Sequence, residues 1–192
     1  MADPRLAAHR FTTIDEIIEH LRELGNTVSV EDCALTELDH GLQTVAILAA
    51  SAPNDIEVQV AGLVHDLAHP WDGPGQPRHA TMGAAAVVDV LGERVAALIR
   101  SHVPAKRYLV AARPEYAAVL SPDSVMTLAA QGGPMSEQEV VEFEAGPDLV
   151  AAVLLREADD GAKVPGAEVP GLHHWEHVLR EVAAAHASAR AC

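Results

Sequence analysis

The pentapeptide His65-Asp66-Leu67-Ala68-His69 constrains this chain more than any other stretch. Three metal-binding side chains follow directly on the apolar run Val60-Ala61-Gly62-Leu63-Val64, within one helical turn of each other. On a continuous helix, His65 and His69 are four residues apart and share a face, with Asp66 projecting beside His65. Imidazole nitrogen and carboxylate oxygen together suit zinc, iron or manganese, and an aspartate can bridge two ions where a histidine cannot. A fold that uses this stretch has to bring further ligands to it. His40, His79, His102 and Asp159 are the candidates.

The punctuation around these residues is helical. Thr13-Ile14-Asp15-Glu16 has capping-box spacing and leads into Ile17, Ile18, Leu21 and Leu24, with Gly25 as the stop. A second helix is expected over 35–50, with His40 inside it. A third should be capped by Asn54 or Asp55 and run to His69, where Pro70 disfavours helix at the preceding residue. Residues 71–77 read as a loop, and helices follow over 79–91 and 93–102, with Pro104 opening a new one at its first turn. Ser121-Pro122 caps a further helix that ends at Gln131-Gly132-Gly133-Pro134, and Ser136 with Glu139 forms another capping box. Helices from Pro147-Asp148 to Asp159 and over 173–185 complete the chain. No alternating strand pattern or internal repeat interrupts this, so the fold class is all-α. Aromatic residues make up only 3% of the chain, which favours closely packed helices over a β-sandwich.

A length of 192 residues suits a single domain, 1–192, with a substantial core. The formal charge of −15 argues against a nucleic-acid partner, because such binding needs a basic footprint. An anionic small-molecule substrate would need local positive charge from a metal or from the few basic side chains. The longest apolar stretch, 45–52, is too short to span a bilayer, and no secretory leader is visible. Cys33 and Cys192 do not make a disulfide framework and fit a reducing compartment, so a cytoplasmic protein is expected.

Four imidazoles and two carboxylates are too many for one catalytic zinc, which usually takes three protein ligands and a water. They suit two ions bridged by Asp66, each keeping open positions for a substrate or dioxygen. Taken singly each member has a plainer reading, and Asp159 could merely cap a turn with Asp160. His173, His174 and His177 read as part of a terminal packing helix with Trp175 and Leu179. Met126 and Met135 read as core filler.

The set His40, His65-Asp66 and Asp159 has the spacing that defines the HD-domain phosphohydrolase superfamily, and the inserted His79 and His102 mark its two-metal subset. More narrowly, the chain resembles the mixed-valent di-iron oxygenases of that superfamily that cleave organophosphonates. The resemblance rests on LDHGLQ (38–43), GLVHDLAH (62–69), RHATMGAAAV (78–87), HVPAKRYLV (102–110), LAAQGGPM (128–135), LLREADDGAK (154–163) and VPGLHHW (169–175). It implies an all-α HD-domain helical bundle with a di-metal site in its core. One iron would be held by His40, His65, Asp66 and Asp159, the other by Asp66, His79 and His102. It further implies an Fe(II)/Fe(III) pair, dioxygen as co-substrate, and cleavage of a 1-hydroxyphosphonate C–P bond to phosphate and a carboxylic acid. A metal-dependent phosphohydrolase acting on a nucleotide or phosphate ester is the alternative.

The resemblance also assigns substrate contacts. His69 is expected to face the phosphonate rather than bind metal, and Lys106 would stand one helical turn beyond His102 on the same face. The Lys106 ammonium suits a dianionic head group. Ser124 near a helix start, Gln131 and Arg156 fall in matching motifs, and Arg156 could equally pair with a buried carboxylate. Where the family's aminophosphonate member carries a tyrosine and an amine-binding glutamate, this chain has Val30 and Cys33. Glu31, Asp32 and Cys33 therefore form the expected specificity loop, with Glu37 close by. A short loop after His69 would leave Trp71 to line or cover the pocket. Oligomeric state and the group at C2 stay open.

Overall fold

Thr13 opens the first helix, α1 (Ile14–Leu24), through a reciprocal box: its hydroxyl accepts from Glu16 N–H, and the Glu16 carboxylate accepts from Thr13 N–H at 3.1 Å. Its apolar positions Ile17, Ile18, Leu21 and Leu24 are all buried. The same logic opens α2 (Glu37–Ser51), where Thr36 and Asp39 form a capping box. The computed structural model describes residues 9–29, 34–72, 78–118 and 120–191. Among these, ten α-helices account for the fold, and an isolated antiparallel bridge joins Val28 to Thr36.

Helix α3 (Ile56–Val64) starts at the Asp55 cap and crosses α2 at close range. Two glycines permit that approach. A Cβ on Gly41 would lie 2.6 Å from the Leu63 carbonyl oxygen, and one on Gly62 would lie 2.3 Å from a Leu48 methyl. Short α4 (His69–Asp72) follows, then α5 (His79–Leu91) and the long α6 (Glu93–Ala112). Helices α5 and α6 pair about Gly92, whose φ of +90° suits a residue without a Cβ. Helices α7 (Pro122–Ala130) and α8 (Glu137–Glu144) come next. Then α9 (Leu149–Gly161) packs on α2, α3 and α6, and α10 (Leu172–Arg190) covers α1, α3 and α5. Helices α2, α3, α6 and α9 thus enclose one core.

Three expectations need correction. The third helix stops at Val64, ahead of the pentapeptide, and does not carry it to His69. Leu67 N–H bonds to Val64 O, His69 N–H to Asp66 O, and Trp71 N–H to Ala68 O, all three residues back. Pro70 has no N–H to continue a four-residue ladder, so the chain tightens and α4 begins in a new direction. Conversely, Pro104 does not start a helix but lies inside α6. The carbonyl it leaves without a helical partner is that of Arg100, an exposed residue, where water can bond it. Finally, Met126 is 70% exposed, because among its described side chains α7 buries only Ser124 and turns its methionine outward. Trp71 stacks on His9, with centroids 4.2 Å apart, and packs near Phe11 and His20.

Candidate metal centre

Each element of the core delivers one or two polar side chains to the same point. His40 comes from α2, His65 and Asp66 from the turn after α3, and His69 from the start of α4. His79 opens α5, His102 lies on α6, and Asp159 lies near the end of α9. All are buried. The sharp turn at 65–68 matters here, because it sends His65 and His69 to different sides of Asp66 rather than along one helix face.

Asp66 stands at the centre, and its two oxygens face different partners. Oδ2 is 3.2 Å from His65 Nε2 and 3.5 Å from His40 Nε2. Oδ1 is 3.6 Å from His79 Nε2, 3.7 Å from His102 Nε2 and 3.5 Å from His69 Nε2. Asp159 completes the first group, 3.3 Å from His40 Nε2 and 3.8 Å from His65 Nε2. His79 and His102 close the second, with Nε2 atoms 3.1 Å apart. Two donor sets result, His40–His65–Asp159 and Asp66–His79–His102, each with ligand atoms mutually within 4.8 Å.

The imidazoles are held for binding by their far nitrogens. Nδ1 of His40 pairs with Ala162 O at 2.9 Å, that of His65 with Gly62 O at 2.8 Å, and that of His102 with Ile99 O at 2.7 Å. A carbonyl accepts only, so each Nδ1 carries a proton and each Nε2 is the nitrogen turned inward, toward the other ligands. Gln43, three residues after His40, fixes the Ala162 segment by exchanging two hydrogen bonds with the Val164 backbone. Among the described residues, His40 Nε2, His65 Nε2 and Asp66 Oδ1 are buried without a hydrogen-bond partner. Leaving such groups unsatisfied costs about 1–3 kcal/mol each, a cost that a cation would remove. The donor chemistry and these orphaned atoms fit a pair of cations.

Electrostatics point the same way. Burial would push the Asp66 carboxyl up, but the adjoining His65 and His69 hold it well below the usual carboxylate range. Asp159 is likewise held low against burial, first by the Arg156 guanidinium and then by His40 and His65. Burial depresses His40, yet the neighbouring Asp159 and Asp66 carboxylates prevail and raise it to about 9. His102 falls well below the ordinary imidazole value, chiefly from burial. Both carboxylates are therefore charged and available to metal.

Lys106 is 1% exposed and donates to Thr127 Oγ1 at 2.9 Å, and Thr127 in turn donates to the Ser124 carbonyl. Ser124 is wholly buried, and its Oγ, like Gln131 Oε1, lacks a hydrogen-bond partner among the described residues. Arg156 is engaged behind the centre: it donates to Asp159 Oδ2 at 2.7 Å, to Asp160, and to the Tyr116 hydroxyl. That geometry is the carboxylate pairing the sequence left open for Arg156, and it makes Arg156 a support for Asp159. Lys163 also approaches Asp159, at 3.8 Å. Of the two lysines of this acidic chain, Lys163 thus lies by Asp159, and Lys106 is buried one turn after His102 on α6. Glu31, Asp32 and Cys33, with Val30, lie outside the described residues. His173, His174 and His177 are exposed on α10, away from the two donor sets. Sequence reasoning missed Thr127 and Gln43, neither of which carries a metal-ligand or catalytic signature of its own.

An all-helical core built around a His/His-Asp/Asp set is that of an HD domain, and the HD-domain model matches residues 38–159. The chain is 35% identical to a hydroxymethylphosphonate dioxygenase of Gimesia maris over 177 residues, 84% of each chain. It is 31% identical to the glycine-betaine-forming [1-hydroxy-2-(trimethylamino)ethyl]phosphonate dioxygenase of Leisingera caerulea, over 81% of this chain and 83% of that one. The chain belongs to the HD-domain phosphonate oxygenase family.

Proposed function

We propose that this protein is a di-iron dioxygenase that cleaves the C–P bond of a 1-hydroxyalkylphosphonate with O2, releasing phosphate and a carboxylic acid. The observation that carries the reading is the two-sided environment of Asp66, with one histidine group on each carboxylate oxygen. His40, His65, Asp66 and Asp159 would hold one iron, and Asp66, His79 and His102 the other. Such an Fe(II)/Fe(III) pair supplies a Lewis-acid anchor for a chelating substrate and a reducing site for dioxygen.

The chain's own residues do the rest. Lys106 offers an ammonium and Ser124 an unpartnered hydroxyl as donors to an anionic head group, and the Gln131 amide would contribute through its NH2. His69 Nε2, on the Oδ1 side of Asp66, donates to the same head group. Arg156 keeps Asp159 ionised and oriented. Burial of the whole set excludes water, which strengthens each of these interactions.

Hydroxymethylphosphonate heads the substrate panel, followed by analogues substituted at C2, including a quaternary ammonium. With iron loaded anaerobically, oxygen consumption should match phosphate release, and a coupled Fe(II)/Fe(III) electron paramagnetic resonance signal should shift on substrate addition. Phosphate release from nucleotides or phosphate esters, without oxygen uptake, would instead make the protein an HD-type phosphohydrolase.

A further inference from the structure

Glu37 is an unusual first-turn residue. Acidic side chains at helix starts normally face solvent, where the helix dipole favours them. This one faces inward, with its side chain fully buried. Position 37 lies three residues before His40, so the two share the inward face of α2. The Glu37 carboxylate reaches across to α4, where Oε2 lies 3.2 Å from His69 Nδ1.

The contrast with the neighbouring imidazoles is informative. His40, His65 and His102 each rest Nδ1 on a backbone carbonyl. His69 rests Nδ1 on a carboxylate, and its Nε2 lies 3.5 Å from Asp66 Oδ1. Its ring is also 4.3 Å from that of His79, against which it can swing if nothing holds the other edge. A backbone carbonyl moves only with its helix. Glu37 is a side chain from a different helix, so it ties the orientation of His69 to α2.

We infer that Glu37 is a positioning residue for His69: it accepts the Nδ1 hydrogen bond, sets the ring plane, and aims Nε2 at the bound phosphonate. The inference rests on the substrate reading above. It also gives Glu37 a role other than recognition of a substrate amine, because its carboxylate is spent inside the protein. The close approach of Glu37, Asp66 and His69, whose ligand atoms lie within 4.8 Å of each other, follows from this hydrogen bond without requiring a third ion.

A double-mutant cycle on the anaerobically iron-loaded protein tests this, with hydroxymethylphosphonate affinity read by calorimetry. Glu37→Ala should keep two irons per chain and weaken binding roughly tenfold, the scale of one charge-assisted hydrogen bond. Glu37→Gln, which still offers a carbonyl acceptor, should recover most of that loss. His69→Ala should weaken binding at least as much, and the double variant should be no weaker than His69→Ala. In turnover, Glu37→Ala should raise KM more than it lowers kcat. Unchanged affinity in Glu37→Ala, fully additive losses, or a third iron per chain that Glu37→Ala removes would each overturn the inference. A zinc-loaded sample gives an independent readout, because imidazole 15N shifts report where the His69 proton sits. If the wild type binds no hydroxyphosphonate, the substrate reading fails. The spectra then decide on Glu37 alone: a His69 Nδ1 signal unmoved by Glu37→Ala would sink it, and a clear change would sustain it.

Discussion

The Arg107 guanidinium is clasped by the turn that joins α7 to α8, its Nε donating to the Gly133 carbonyl at 2.8 Å. Gly132 and Gly133, at φ +100° and +72°, wrap the turn around it, and Nη2 reaches Glu139 at 2.8 Å. Met135 N–H returns the contact to the Arg107 carbonyl. Helix α8 buries no residue, and among the described side chains of α7 only Ser124 is buried, so this clasp does much to seat the two helices. It also sets Thr127 and Ser124 beside Lys106, the residue preceding Arg107 on α6. Replacing Arg107 by Met should lower stability by about 1 kcal/mol through loss of the partly buried contact to Gly133, and weaken phosphonate binding severalfold. Thermal denaturation and calorimetry check the two effects, and unchanged binding would mean that α7 is seated without Arg107.

His102→Ala removes one member of the Asp66–His79–His102 set and leaves the other set intact. Iron should fall from two ions per chain to one, with loss of turnover. Metal analysis beside an oxygen-electrode assay measures both. A fully active variant would show that the second donor set is not used.

Gly41→Ala places a methyl 2.6 Å from a backbone oxygen of α3, an atom that cannot swing aside. The α2–α3 crossing must open, at a cost of about 1–3 kcal/mol. Because His40 is the next residue back, iron retention should fall with stability. A chemical denaturation curve coinciding with that of the wild type would refute the close-approach argument.

Arg94 binds Asp55 through both Nη atoms at 2.7 Å and also reaches Glu57 and Asp148, joining the starts of α3 and α9. The Arg94 guanidinium holds the Asp55 carboxyl below its ordinary value. A carboxyl lowered on folding stabilises the folded state above its unfolded pKa, and that contribution disappears as pH falls through the folded value. Arg94→Met should therefore cost about 1 kcal/mol near pH 7, modest because the pair is partly exposed. The difference from wild type should shrink below about pH 4. A gap that stays constant from pH 7 to pH 3 would count against this assignment.

Metal uptake has its own pH signature. His40, raised to about 9 by Asp159 and Asp66, carries a proton at neutral pH in the metal-free chain. A cation at Nε2 must displace it, so affinity should rise between about pH 7 and 9, with proton release. Zinc titration at several pH values in two buffers of different ionisation enthalpy measures that release. Affinity independent of pH would show that His40 does not bind the metal.

Much of the helix pattern was legible because caps and stops act locally. Thr13-x-x-Glu16, Ser121-Pro122 and Ser136-x-x-Glu139 are each read within four residues, and each opens its helix in the structure. The failures were tertiary. Pro104 is tolerated inside α6 opposite Arg100, an exposed residue whose carbonyl water can bond, and Met126 is exposed because α7 turns it outward. The candidate site was legible as residue types, since imidazole and carboxylate are scarce enough in an apolar helical chain to stand out. Its supports were not. His40 leans on Ala162, and Gln43 on Val164, each more than a hundred residues away.

By itself, the sequence determined that the chain is helical, that its histidines and aspartates have the HD-domain spacing, and which family it resembles. Those properties follow from local hydrogen-bond chemistry and from the identity of the side chains. Only the tertiary structure decided that the 65–69 stretch is a tight turn and not a helix face, so that Asp66 shows one oxygen to each histidine group. It also decided that Arg156 serves Asp159, and that Glu37 turns inward to His69. Such pairings depend on where α2, α4, α6 and α9 cross, and crossing geometry is set by packing between segments far apart in the chain.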